Sequence, residues 1–211
     1  MDTPSDMLLF ENKEYAEGAL CVCGIDEAGR GPLAGPVFAA AVVLPRGCVI
    51  EGVNDSKKLS AKKRAGLFDV IISRAVSYAV ASADEKEIDS LNILRAAMLA
   101  MRRAYSALGA TPDCALVDGN TDPGLGCRTL CIIKGDGRSE SVAAASILAK
   151  VSRDRYMTAL AEKYPQYGFE KHKGYPTADH YRAIIEHGPC AAHRMSFLKN
   201  LDEKRAEFAH R

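Results

Sequence analysis

The sequence predicts an α/β fold built on a mixed sheet, and three observations carry that expectation. Short apolar runs alternate with longer stretches of helical spacing, the order of a sheet layered against helices. The first three predicted strands follow one another on short links, as in an antiparallel meander, and the later strands alternate with helices. Asp26, Asp118 and Asp136 each stand at, or just past, the C-terminal end of an apolar run. Parallel neighbours bring such ends together at one sheet edge, where α/β proteins bind ligands.

The elements follow in order. Residues 19 to 26 read as a buried strand, and Val37 to Leu44, apolar almost throughout, as a second. Gly31-Pro32 and Gly35-Pro36 mark the turns between them. A helix starts after Ser60, a side chain suited to capping, with Leu67, Val70 and Ile71 as its apolar stripe. Residues 75 to 82 alternate like a third strand. Ile88, Leu91, Leu94, Met98, Met101 and Tyr105 recur at three- and four-residue steps, which predicts one helix over about 86 to 108, stopped by Gly109. Strands follow at Cys114 to Asp118 and Arg128 to Lys134, then an alanine-rich helix from Ser139 to about Tyr164. Residues 165 to 176 form a Pro/Gly/aromatic loop, and a helix from Thr177 to His187 and a short basic tail end the chain. The expected organisation is a polar extension over 1–18, a core over 19–164, and loops and helices over 165–211 that complete the same domain.

Composition narrows the function classes. Neither a membrane span nor an export signal is legible, since residues 1 to 14 are acidic and polar rather than basic then apolar. Seven cysteines without a repeating framework point to free thiols in a reducing compartment, hence the cytoplasm. No Cys-x-x-Cys occurs, which argues against structural zinc. The net charge of +1 announces no nucleic-acid binder, yet Lys57, Lys58, Lys62, Lys63 and Arg64 cluster, as do Lys150, Arg153 and Arg155, then Lys171 and Lys173. A balanced total can hide one basic face, although any single cluster reads equally well as a solvated helix face.

The chemistry concentrates in Gly24-Ile-Asp-Glu-Ala-Gly-Arg-Gly-Pro-Leu-Ala-Gly-Pro36. Clustered carboxylates raise one another's pKa and call for a cation. Mg²⁺ and Mn²⁺ prefer such oxygen ligands, and a pair of them can drive an in-line phosphoryl displacement. Asp26 and Glu27 are adjacent, and neighbours on a regular strand point to opposite faces. Both serve one site only if the strand bends there, or if Glu27 acts through its carbonyl or a water.

With that block stand Asn54-Asp-Ser-Lys-Lys-Leu59, Asp89-Ser-Leu-Asn-Ile-Leu94, Val117-Asp-Gly-Asn120, Lys134-Gly-Asp136, Ala143-Ala-Ala-Ser-Ile-Leu-Ala-Lys150, His172-Lys-Gly-Tyr-Pro-Thr177 and His193-Arg-Met-Ser-Phe197. Together, in this order, they resemble bacterial ribonuclease HII from about Val22 to Phe197. The resemblance implies an RNase H-like fold, with a mixed central sheet flanked by helices and a small helical C-terminal part. It implies endonucleolytic cleavage of RNA paired with DNA, and 5′ of single ribonucleotides embedded in duplex DNA, leaving 3′-hydroxyl and 5′-phosphate ends. Asp26, Glu27, Asp118 and Asp136 would form the acidic set holding Mn²⁺ or Mg²⁺, two ions in the substrate complex. Gly29, Arg30 and Gly31 would read the ribonucleotide's 2′-hydroxyl, and Tyr175 would stack on the sugar 3′ of the scissile phosphate. Lys57, Lys58, Lys150, Arg153 and Lys173 are the candidate phosphate contacts. About 23 residues precede the motif, which disfavours the related ribonuclease HIII type with its extra N-terminal domain. No clear clamp-binding peptide is present, Phe208 being the one residue that keeps a sliding clamp in view, and a monomer is expected. Two other readings stay open: a junction resolvase indifferent to the 2′-hydroxyl, and a non-catalytic hybrid-binding module.

Overall fold

A computed structural model describes residues 6–53 and 59–209. After a first helix, α1 (Leu9–Ala16), come strands β1 (Val22–Ala28) and β2 (Val37–Val43), helix α2 (Ala61–Arg74) and strand β3 (Ser77–Ala83). Helices α3 (Glu85–Leu91) and α4 (Ile93–Ser106) lead to β4 (Cys114–Asp118) and β5 (Arg128–Ile132). Helix α5 (Glu140–Lys163) is followed by α6 (Phe169–His172), α7 (Ala178–His187) and α8 (Leu201–Ala209). The sheet order is β3-β2-β1-β4-β5. The first three strands pair antiparallel, while β1/β4 and β4/β5 are parallel, so the sheet is mixed as expected.

Helices cover both faces. Ala96, Ala97, Ala100, Met101 and Ala104 of α4 pack with Cys23, Ile25, Ala39, Ala41 and Val117. On the other face, the alanine-rich start of α5 packs with Ala40 and Val42 and with Leu67 and Ile71 of α2. Small side chains let α5 approach closely, and the limit is reached at Gly24 in β1. A Cβ built there would lie 2.1 Å from the main-chain carbon of Ser141. A third cluster, including Leu33, Ala34, Met157, Phe169 and Ile184, joins the loop after β1 to the C-terminal helices.

Four features depart from expectation: α6 stands inside the expected loop 165 to 176, α8 occupies the expected basic tail, and the other two lie near Asn92 and in α1. The helix expected over 86 to 108 is two helices, α3 and α4, which meet at Asn92 with φ of +71°. Asn tolerates the left-handed region better than most residues, and its side chain accepts the Arg95 N–H to start α4. The apolar spacing continues on both sides of the break, so periodicity alone could not reveal it. The polar N-terminus, in turn, contains a helix that buries carboxylates instead of an apolar stripe. Glu11 accepts hydrogen bonds from the hydroxyls of Ser139 and Ser141, and Glu14 pairs with Arg128 at 2.9 Å. Among the described residues, no helix is long and apolar enough to cross a membrane.

Gly24→Ala is expected to cost about 3 kcal/mol, because the colliding atoms belong to helix backbone and cannot swing aside. Urea unfolding measures this. Wild-type stability would contradict the close β1–α5 approach.

Candidate active site

β1 and β4 run parallel with Ile25 opposite Val117, so the next residues, Asp26 and Asp118, emerge side by side at one sheet edge. Asp26 is buried (3% exposed), and its Oδ1 accepts the Glu27 N–H at 2.6 Å. It also bonds to Ser146 on α5. Asp118 Oδ1 accepts the Gly135 N–H at 2.6 Å, which ties β4 to the short 3₁₀ turn Gly135–Gly137 carrying the buried Asp136. Glu27 turns the other way. With Asp118, Gly119 and Asn120 it lines a cleft walled by Leu94, Met98 and Met101 from the α4 side. The strand does not bend to aim both carboxylates inward; alternation holds, and the two groups approach the same edge from opposite faces.

Burial pushes the Asp26 carboxyl well above the ordinary carboxylate range, and the neighbouring Glu27 and Asp118 push it further. Asp26, Glu27 and Asp118 are therefore one electrostatic group, with Asp136 attached through Gly135. Among the described residues no group of three or more His, Cys, Asp or Glu side chains is placed to hold a metal ion by itself. An open, all-oxygen edge of this kind fits a hard divalent cation that keeps several waters and takes further oxygens from a substrate phosphate. A desolvated carboxylate beside two others gains most when a cation arrives.

The loop after β1 carries the second half of the site. Arg30 reaches back to Glu27 Oε1 at 3.3 Å, half exposed. A Cβ built on Gly31 would have the Tyr175 ring as its nearest neighbour, at 3.9 Å. Tyr175 is 39% exposed and lies over the side chains of Lys150 (5.6 Å) and Arg153 (5.8 Å). Gly29 is different, because a Cβ there would collide with the Arg153 side chain. Gly29 makes room for a buried arginine, whereas Gly31 leaves open ground beside an exposed aromatic ring.

Comparison with known proteins agrees with this geometry. A family model described as Ribonuclease HII matches residues 23–200. The chain belongs to the ribonuclease HII family. It is 57% identical over 192 residues to the ribonuclease HII of Caldicellulosiruptor saccharolyticus, covering 91% of this chain and 94% of that one. Among solved structures it is similar to ribonuclease H2 from Pyrococcus horikoshii, with 29% identity, a TM-score of 0.73, and coverage of 88% and 98%. The ribonuclease HII of Archaeoglobus fulgidus, solved in complex with PCNA, shares 28% identity at a TM-score of 0.65, with coverage of 83% and 94%. The chain is thus a nuclease of the ribonuclease H class, in a family that depends on divalent metal.

The basic residues expected on the substrate divide sharply. Lys57 and Lys58 lie outside the described residues. Lys150 pairs with Asp154 at 2.7 Å beside Tyr175. Lys173 Nζ donates to Thr158 Oγ1 and to the Glu170 carbonyl. Arg153 is a correction. It is fully buried, and its guanidinium donates to the carbonyls of Ala34, Pro36 and Lys173, so it is no phosphate contact. Sequence reasoning missed Ser146 and Arg194. Ser146 is a polar residue among the alanines and aliphatics of α5, and that interruption was the available signal. Arg194, fully buried, carried none beyond its place in the His193-Arg-Met-Ser-Phe197 block.

The raised Asp26 carboxyl sets a pH dependence. As pH rises above the ordinary value of 3.8, the unfolded chain loses this proton while the folded, metal-free chain keeps it, so stability falls. Asp26→Asn should raise the melting temperature of the metal-free protein at pH 7 by roughly 3–6 °C. The gain should vanish as pH falls towards 3.8. Added Mn²⁺ should stabilise the wild type more than the variant. Equal melting temperatures at pH 7 would contradict the buried, crowded carboxylate.

Proposed function

We propose that this ribonuclease HII cuts the RNA strand of RNA/DNA hybrids and cuts 5′ of single ribonucleotides embedded in duplex DNA. It thereby starts the removal of ribonucleotides and RNA primers, acting as a monomer in the cytoplasm. The observation that carries this reading is the adjacency of Gly31 and Tyr175, with Gly31 just past the end of the strand that carries Asp26 and Glu27. The 2′-hydroxyl is the one group that separates the target nucleotide from its neighbours. A site that hydrogen-bonds it rejects deoxyribose through polar groups left unpaired.

Asp26, Glu27, Asp118 and Asp136 would hold Mg²⁺ or Mn²⁺, which when bound supplies an activated water and stabilises the leaving oxygen. Water oxygen bonds to phosphorus while the bond from phosphorus to the 3′-oxygen breaks. The departing oxygen takes a proton and becomes the 3′-hydroxyl, and the phosphate stays on the 5′ end. Gly29-Arg30-Gly31 presents main chain to the sugar, and Tyr175 offers a flat, half-exposed face for the next one. No histidine is needed as base: His180 and His193 are buried, and their pKa values are lowered to about 4, first by that burial. All seven cysteines are free, which suits a reducing compartment. For partners we name only the nucleic-acid duplex. PCNA belongs to the archaeal relative's complex, and the Phe208 side chain lies outside the described ones.

The test compares a DNA duplex carrying one ribonucleotide with the same duplex in all-DNA form, with Mg²⁺ and with EDTA. The account expects a single cut 5′ of the ribonucleotide, none in the control and none in EDTA. Asp118→Asn should lower the rate at least ~10³-fold, and Tyr175→Ala should slow cutting without changing Mn²⁺ affinity in calorimetry. Equal cutting of both duplexes would favour a resolvase-like nuclease instead.

A further inference from the structure

Arg153 and Arg194 are the two largest side chains with no solvent exposure. Neither forms an ion pair with a carboxylate among the described residues, and their hydrogen bonds go to main-chain carbonyls. Arg194 donates from Nε to Gly35, from Nη1 to Arg30 and Pro32, and from Nη2 to Gly29, at 2.7–3.1 Å. Its own N–H donates to Leu33. Arg153 donates to Ala34, Pro36 and Lys173 at 3.0–3.1 Å. From Gly29 to Pro36, every carbonyl except that of Gly31 is therefore drawn inward by these two residues. Among the described residues, the N–H groups of Arg30 and Gly31 find no acceptor.

Burying a guanidinium without a directly bonded carboxylate is costly, and the Arg194 pKa is lowered to about 9, by burial first and then by Arg153, with Glu85 and Asp89 opposing from farther away. Loop stability alone does not require such an arrangement, because apolar packing of similar volume commonly serves as well or better. A planar fork of fixed donors does something else, since it sets the orientation of successive peptide planes. Here it leaves the Arg30 and Gly31 N–H groups and the Gly31 carbonyl unengaged, beside Tyr175. Arg153 adds a tie between the two halves, because it holds Lys173, two residues before Tyr175, to the same loop.

We infer that Arg194 and Arg153 are positioning residues for sugar selection: their buried guanidiniums fix the Gly29–Pro36 loop so that the Arg30 and Gly31 N–H groups and the Gly31 carbonyl are presented, in register with Tyr175, to the target nucleotide. This rests on the proposed reading of the loop as the sugar sensor. The residues touch no reacting atom. They act by preorganising a main-chain hydrogen-bonding site that would otherwise have to be ordered during binding.

The test uses Arg194→Lys and Arg153→Lys in the full chain, because lysine keeps the charge and discards the fork. Three quantities are read: KM for a duplex with one ribonucleotide, the inhibition constant of the matched all-DNA duplex as competitor, and Mn²⁺ affinity by calorimetry. The expected result is a rise of about tenfold in KM, the worth of one hydrogen bond. The inhibition constant and Mn²⁺ affinity should stay unchanged. A purely structural role would weaken both duplexes together, or lower the melting temperature with their ratio preserved, and would overturn the inference. If the wild type itself cuts without regard to the ribonucleotide, the underlying reading fails instead. Should neither variant fold, hydrogen exchange on the wild type decides. The amides of Leu33 and Gly35, bonded to Gly174 and Ala192, should be as protected in the free protein as with the duplex bound. Protection that appears only on binding would show a loop ordered by substrate, contrary to the inference.

Discussion

The parallel pairing of β1 with β4 is the constraint on which the site depends. Its register, with Ile25 opposite Val117, is what sets Asp26 beside Asp118 although the chain between them makes a meander and three helices. A shift of one residue would turn Asp26 to the opposite face and break the site. Helix α5 then runs along β1 and its loop like a rule. Ser141 meets Gly24, Ser146 meets Asp26, Arg153 meets Pro36 and Ala34, and Met157 lies against Gly35. The steps between Ser146, Arg153 and Met157 are seven and four residues, whole turns of one helix face. One helix thus supports the carboxylate edge and the loop beyond it.

Charged groups are buried at both places, yet their surroundings differ. Arg153 and Arg194 donate to main-chain carbonyls throughout, although burial lowers the pKa of each. Asp26 has a main-chain N–H and a serine for company, but it lies among other carboxylates and its proton is held abnormally tightly. A group left electrostatically unsatisfied by its own fold is one that waits for something else to bind. Hydrogen-bonded arginines hold the loop, and the crowded carboxylates are the group we propose to take a cation.

Much of this was legible beforehand, for identifiable reasons. Buried strands announce themselves by continuous apolar runs, and their terminal aspartates, together with the sheet order they implied, pointed to one edge. The Ser60 cap and the alanine-rich α5 lie where the sequence placed them. What stayed hidden were cases in which a polar residue does interior work. The Asn92 break interrupts no periodicity, α1 buries Glu11 and Glu14 rather than leucines, and Arg153 looks in sequence like any basic residue near a phosphate. Burial of a charge depends on tertiary partners, and a sequence names the charge without naming its partners. The doubt over Glu27 was sound as physics, since the strand does alternate. Glu27 lines the cleft on the α4 side with Asp118, so in our proposal it reaches the edge from the opposite face.

The central claim is that one strand end joins the carboxylates to a sugar-reading loop, so that the position of the ribose fixes the position of the cut. Moving a single ribonucleotide stepwise along an otherwise constant DNA duplex measures this directly. The account predicts that the cut moves with it, nucleotide by nucleotide, always on its 5′ side. Cuts that stay at fixed places in the duplex, or that appear equally without any ribonucleotide, would contradict it.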